Sequence, residues 1–205
     1  MLKSNFFIRN FVSLSALTLG LVACAPSFQG NYSDPAKAEI VDDKWNETDA
    51  RKTAQTIVNS VLTKPWLVEY RARTKKRPVV IVDDIENRTD EHIDTKALSE
   101  FIRDELINSG KVRYLNNKRR KQILEEIKYQ NSGTTAANTR KSAGKQIGAD
   151  FLFGGAISSS VHSQGGLKTV TYQTAMTLTN LETTEISWSG KELIKKRFKR
   201  SGSSW

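Results

Sequence analysis

Apolar positions recur at helical spacing through the first half of the chain and alternate through the second. Ala50, Ala54, Ile57, Val58, Val61 and Leu62 share one face of a helix. Thr48 or Asp49 is its expected N-cap, and Pro65 stops it. Trp66 and Leu67 are placed to pack it on the rest, and residues 71–77 read as a basic link. Pro78-Val79-Val80-Ile81-Val82 is an unbroken β-branched run, the pattern of a strand buried on both faces. Residues 83–91 read as a polar loop. Asp94 caps a second helix with the stripe Leu98, Phe101, Ile102 and Leu106, and Gly110 follows as its C′ residue. Residues 111–115 read as a second strand. Asn116 or Asn117 opens a third helix carrying Ile123, Leu124 and Ile127, and Asn138 caps a short fourth one ending near Ile147.

Strands and hairpins make up the remainder. Gly148 turns the chain into a strand over 151–157, and Gly165-Gly166 forms a tight turn. Over 168–179, Val170, Tyr172, Met176 and Leu178 face one way, while Thr171, Gln173, Thr177 and Thr179 face the other. A turn at Glu182-Thr183-Thr184 leads to a last strand with Ile186 and Trp188 on one buried face. The order αβαβααβββ predicts an α+β fold, an α/β sandwich. It has one mixed sheet of about five strands with about four helices packed on it.

The first residues follow a different grammar. Lys3 and Arg9 flank an apolar segment from Phe11 to Leu21, which is too short to span a bilayer and reads as a leader. Leu21-Val22-Ala23-Cys24 looks like a bacterial lipobox ending in the only cysteine. Cleavage would leave Cys24 first, its thiol free to take palmitate-type acyl chains, with no cysteine left for a disulfide. The expected division is a signal peptide over 1–23, a lipidated flexible tether over 24–45, one globular domain over 46–198 and a basic, polar tail over 199–205. Pro26, Ser27, Gly30, Asn31, Ser33, Asp34 and Pro35 give the tether no apolar period, and its only prolines are Pro26 and Pro35. Extended, the stretch from Cys24 to Asp49 reaches about 80–90 Å. As a coil it spans about 25–30 Å.

Net charge is +10 for the whole chain, and loss of the leader removes Lys3 and Arg9. Basic runs lie at Arg119-Arg120-Lys121 and at Lys191, Lys195, Lys196, Arg197, Lys199 and Arg200. Export argues against nucleic acid as partner, and no nucleic-acid motif accompanies the runs. A solvated face is the first reading of them. Anionic lipid, cell-wall polymer or an acidic protein is the functional one.

Catalysis finds little support. The two histidines, His92 and His162, lack metal-ligand partners at useful spacing, so no metal is expected. There is no G-x-S-x-G elbow, and Gly154-Gly155 and Gly165-Gly166 lack the Lys-Ser/Thr of a phosphate loop. Asp83, Asp84 and Glu86 could form a carboxylate site, but capping and solvation suit them better beside Asn87 and Arg88. His92 is the one pH-sensor candidate, and an ordinary loop histidine is its simpler reading. The expectation is a binding module with no catalytic residue, no cofactor beyond lipid on Cys24, and no small-molecule substrate.

Four short stretches carry a resemblance over about residues 45–195: Asn87-Arg88-Thr89, Asn108-Ser109-Gly110-Lys111, Gly148-Ala149-Asp150 and the hairpin segment from Thr184 to Lys191. With the lipobox, their order and spacing look like the LpoB-type activator lipoproteins of penicillin-binding proteins. The resemblance implies a domain like the amino-terminal domain of TolB. It also implies an outer-membrane lipid anchor with the domain facing the periplasm, and docking on a bifunctional peptidoglycan synthase whose cell-wall synthesis it stimulates. Ala25 lacks the acidic side chain that marks inner-membrane retention in lipoproteins of this look. The best-known members carry a long, proline-rich tether, whereas this one is short. The alternative is a TolB- or CsgG-like structural lipoprotein for assembly of an envelope or secretion complex. For partner contact the expected residues are Arg88, His92 and Lys96, on a charged stretch between a strand end and a helix start.

Overall fold

Asn46 rather than Thr48 or Asp49 starts the first helix, α1 (Glu47–Leu62). The Asn46 side chain accepts from the Asp49 amide at 3.1 Å, and the Asp49 carboxylate accepts from the Asn46 amide at 3.0 Å. This reciprocal box satisfies two N–H groups that the helix itself cannot. Asp49 is thus a residue of the first turn, not the cap. The computed structural model describes residues 30–34, 37 and 42–199. The leader, Cys24, most of the tether and residues 200–205 lie outside them. Residues 30–34 and 37 belong to a separate N-terminal unit, in which the Lys37 amide donates to the Asp34 carbonyl at 3.0 Å.

Pro65 ends α1 and also begins α2 (Pro65–Thr74) at its first position, where a missing N–H costs nothing. Residues 71–77, expected as a link, are therefore helical as far as Thr74. Arg71 and Arg73 sit in the last turn, where cations suit the helix dipole. Strand β1 (Val79–Val82) follows, then a kink and a three-residue strand β2 (Glu86–Arg88) inside the stretch expected as a loop. Helix α3 (Thr95–Asn108) is capped by Asp94 as expected, and Gly110 follows it at φ +62°. Strand β3 shrinks to Arg113–Tyr114. A 3-10 turn at Asn117–Arg119 leads into α4 (Arg120–Tyr129).

The expected helix over 138–147 does not form. The Asn131 amide group donates to the Lys141 carbonyl at 2.9 Å, and the Gln130 side chain accepts from the Lys141 amide at 3.0 Å. Side chains of the preceding turn thus take the backbone groups that a helix would use.

Three 14-residue strands complete the fold: β4 (Phe151–Gln164), β5 (Leu167–Asn180) and β6 (Ile186–Lys199). Gly165 and Gly166, at φ +57° and +76°, make the first hairpin turn. The sheet runs β3-β1-β4-β5-β6, with β2 pairing on β4 beyond the end of β1. β1 is parallel to β3 and β4, and β2 is parallel to β4. β4, β5 and β6 are antiparallel. The class is the α+β one expected, with six strands in the sheet.

The core lies between α1, α3 and one sheet face. Ile57, Val58 and Val61 of α1 and Leu98, Ile102 and Leu106 of α3 meet Val80, Val82, Phe153, Met176 and Leu178. Full burial of each such side chain contributes about 1.5–3 kcal/mol. The even-numbered face of β5 is buried from Val170 to Leu178, as the alternation predicts.

The placement of Ile186 departs from expectation. Leu178 pairs with Trp188, but Thr179 pairs with Ile186, so Ser187 is the extra residue of a bulge. The bulge breaks the two-residue period. Trp188 is buried at 6 % exposure while Ile186 is 63 % exposed. Gly155 is needed for close strand approach, since a Cβ there would lie 2.1 Å from the Ala175 carbonyl oxygen.

Candidate partner-docking site

Ile85 and Ile93 are buried. Pinned at these two points, the chain between them is held on the end of the sheet. Its interior is stitched by local hydrogen bonds. Asn87 Oδ1 accepts from the Thr89 amide and hydroxyl at 3.0 and 2.8 Å, and Asn87 Nδ2 donates to the Glu91 carbonyl at 2.8 Å. Asp94 Oδ1 accepts from the amides of Lys96 and Ala97. Asn87, Thr89 and Asp94 are therefore structural.

Arg88, His92 and Lys96 are all exposed on this frame. Arg88 ends β2 opposite Ser158 and forms an ion pair with Glu86. The hydrogen bond between them holds Glu86 below and Arg88 above its ordinary pKa. His92 sits between the inward Glu91 and Ile93. Lys96 lies apart from both. It lines a groove of about 370 Å³ with Ser99, Arg103, Tyr114 and Lys118, which Arg88 and His92 do not reach.

The acids expected as a weak catalytic alternative do not converge. Lys118 pairs with Asp84 and holds it below the usual carboxylate range, while Glu86 faces Arg88. A general acid requires the opposite shift. Among the described residues no His/Cys/Asp/Glu group is arranged to hold a metal, and no helix is long and apolar enough to cross a membrane.

Glu91 is the residue of this stretch that sequence reasoning missed. Its carboxylate accepts from the Tyr172 hydroxyl at 2.6 Å and from the Trp45 amide at 3.2 Å. The Trp45 ring stands edge-on to Tyr172 at 5.4 Å, and the Tyr172 hydroxyl also lies 3.0 Å from the Asp43 carbonyl. Beside them Lys196 reaches the Asp49 carboxylate at 2.6 Å and donates to the Lys44 carbonyl. So residues 43–45, expected within the tether, are fastened to the domain. Lys196, expected on a solvated face, is only 5 % exposed.

Two phenols give the fold an alkaline limit. Burial and a hydrogen bond to Asp150 push Tyr70 up to about 12. Burial and Glu91 push Tyr172 up as well. Below the ordinary phenol value of about 10 both states keep these protons. Above it the unfolded chain loses them first. Their contribution is fully present below about pH 10 and is lost as pH rises to the folded values. The urea midpoint should therefore fall between about pH 9 and about pH 11.5, and the fall should shrink in a Tyr70→Phe protein. An unchanged slope would count against the burial of that phenol.

A family model described as peptidoglycan-synthase activator LpoB matches residues 49–194. The chain belongs to the LpoB family. That match runs from Asp49 in α1, through the loop of Arg88 and His92, to Ile194 of β6. The LpoB C-terminal domain from Salmonella enterica is 21% identical, at a TM-score of 0.42, over 71% of this chain and 98% of that one. The corresponding Escherichia coli domain is 22% identical at the same TM-score and coverage. The solution structure of Escherichia coli LpoB is 18% identical at 0.41, over 87% of each chain. No curated protein matches the chain. Arg88, His92 and Lys96 lie inside the matched residues, and Cys24 lies ahead of them.

Proposed function

We propose that this LpoB-family chain is a lipoprotein anchored through acyl chains on Cys24 in the outer membrane. Its domain faces the periplasm, docks on a class A penicillin-binding protein and stimulates its peptidoglycan synthesis. The observation that carries this reading is the family match across 49–194. No catalytic residue, metal or cofactor is needed for such a role. The mechanism is a population shift: the domain binds the active synthase conformation more tightly than the inactive one. A ten-fold preference shifts that equilibrium by about 1.4 kcal/mol. Arg88 and His92 supply the contact, with Lys96 at its margin, because they are exposed on backbone whose own hydrogen bonds are satisfied locally.

Two experiments test the reading. In the first, Cys24→Ser should release the protein from the membrane fraction or leave it as uncleaved precursor. Normal processing with unchanged membrane association would overturn the anchor. In the second, the Arg88→Ala/His92→Ala double variant should capture the synthase from detergent-solubilised envelope about ten-fold less well, with melting unchanged, since exposed substitutions move stability by only about 0.5 kcal/mol. Capture that survives together with a lowered melt would make this loop structural only. Co-purification of a secretion or assembly component instead of a synthase would overturn the activator role.

A further inference from the structure

From residue 113 to residue 150 the chain crosses between β3 and β4 without burying a single side chain. Yet this excursion is not simply polar. It carries α4, whose Ile123, Leu124 and Ile127 fall within an arc of about 100° on the helix. No residue of α4 is buried, and its main contacts are with the turns on either side of it. Ile123 is 44 % exposed, Leu124 40 % and Tyr129 59 %. Ile147 is exposed too, and the Arg120 guanidinium donates to its carbonyl at 3.1 Å.

Charge is concentrated on the same excursion. Residues 117–147 hold eight Lys and Arg against two Glu, more than half of the whole chain's surplus of ten. On α4, Lys121 and Lys128 border the apolar arc on one side and Glu126 borders it on the other, while Glu125 lies on the far side of the helix. An exposed apolar stripe edged on one side by lysines, on a segment with a net surplus of six positive charges, suits a helix lying in a membrane interface.

We propose that residues 117–147 form a surface that lies on anionic phospholipid. Ile123, Leu124 and Ile127 enter the headgroup–acyl boundary while Lys121, Lys128 and the exposed Arg119 hold lipid phosphates. A soluble anionic polymer would satisfy the cations but leave the isoleucines and leucine in water. The centre of a protein–protein interface is depleted in lysine and other charges, whereas here the charges crowd the apolar stripe. The surface acts independently of Cys24, and it would lay the domain against a bilayer instead of leaving it to drift at the end of its tether.

The test uses residues 24–205, which contain the whole described domain, with Cys24→Ser so that no acyl chain contributes. The protein is sedimented with vesicles of phosphatidylglycerol and phosphatidylethanolamine, and separately with vesicles of phosphatidylcholine alone. Binding should be confined to the anionic vesicles and weaken with salt. Ile123→Ser/Leu124→Ser should lower it about five-fold, and Lys121→Glu/Lys128→Glu by about ten-fold or more. Neither pair should move the melting temperature, because neither touches the core. Equal binding to both vesicle types, or no binding to either, overturns the proposal. So does anionic binding that ignores the Ile123/Leu124 change, which would describe charge adsorption alone. If these variants spare vesicle binding but abolish synthase capture, the face belongs to a protein partner and the lipid proposal fails. Because Cys24 is absent throughout, failure of the anchor cannot be mistaken for failure here.

Discussion

A Lys196→Met protein should be less stable than its parent by about 3–5 kcal/mol, the cost of breaking a buried ion pair from one side. For a domain of this size that lowers melting by roughly 10 °C or more. Methionine keeps most of the aliphatic stem, so the loss is mainly electrostatic. Asp49 and Lys196 side chains are 9 and 4 % exposed, at 2.6 Å. Without the ammonium, the Asp49 carboxylate remains buried with the Asn46 amide as its partner, and the Lys44 carbonyl loses its donor. Adding Asp49→Asn should recover a good part of the loss, because the uncompensated charge is then gone. Thermal and urea denaturation of the two single variants and the double one decide the matter. A single variant within about 1 kcal/mol of the parent would show the pair to be solvated.

Trp188→Ala should also cost about 3–5 kcal/mol, as large core aromatics do. The ring lies 5.8 Å from Phe153, and it leaves no room for a Cβ at Gly190, where one would come within 2.2 Å. Trp188→Phe separates shape from polarity. The indole Nε1 is buried without an acceptor, and such a donor carries a penalty of about 1–3 kcal/mol that phenylalanine sheds. Phenylalanine should therefore restore most of what alanine loses. A melt lowered by only a degree or two in the alanine variant would mean that Trp188 faces solvent.

These two positions mark the boundary of what the sequence makes legible. Alternation identifies the buried face of β5, because a strand with one wet face must alternate. The stripes of α1 and α3 are legible for the same reason at helical period. Ile186 was not, because a bulge inserts a residue that alternation cannot register. Pro65 reads as a stop, and only the backbone shows that it is also a start. At the candidate site, exposure of Arg88, His92 and Lys96 follows from a polar stretch between two anchored elements. Glu91 could not be singled out there, since its partners Trp45 and Tyr172 stand 46 and 81 positions away. Lys196 reads as one more member of a basic run, because nothing in its neighbours signals a carboxylate 147 positions upstream.

The fastening of residues 43–45 has a mechanical consequence. Tension arriving along the preceding chain meets the domain at Asp43, before the first turn of α1. There the load divides: through the Tyr172 hydroxyl into β5, through Lys196 into β6, and through Glu91 into the loop between β2 and α3. A pull on that chain is thus borne by β5 and the edge strand β6, with α1 shielded from unwinding. Part of it also reaches the loop that carries Arg88 and His92, through Glu91.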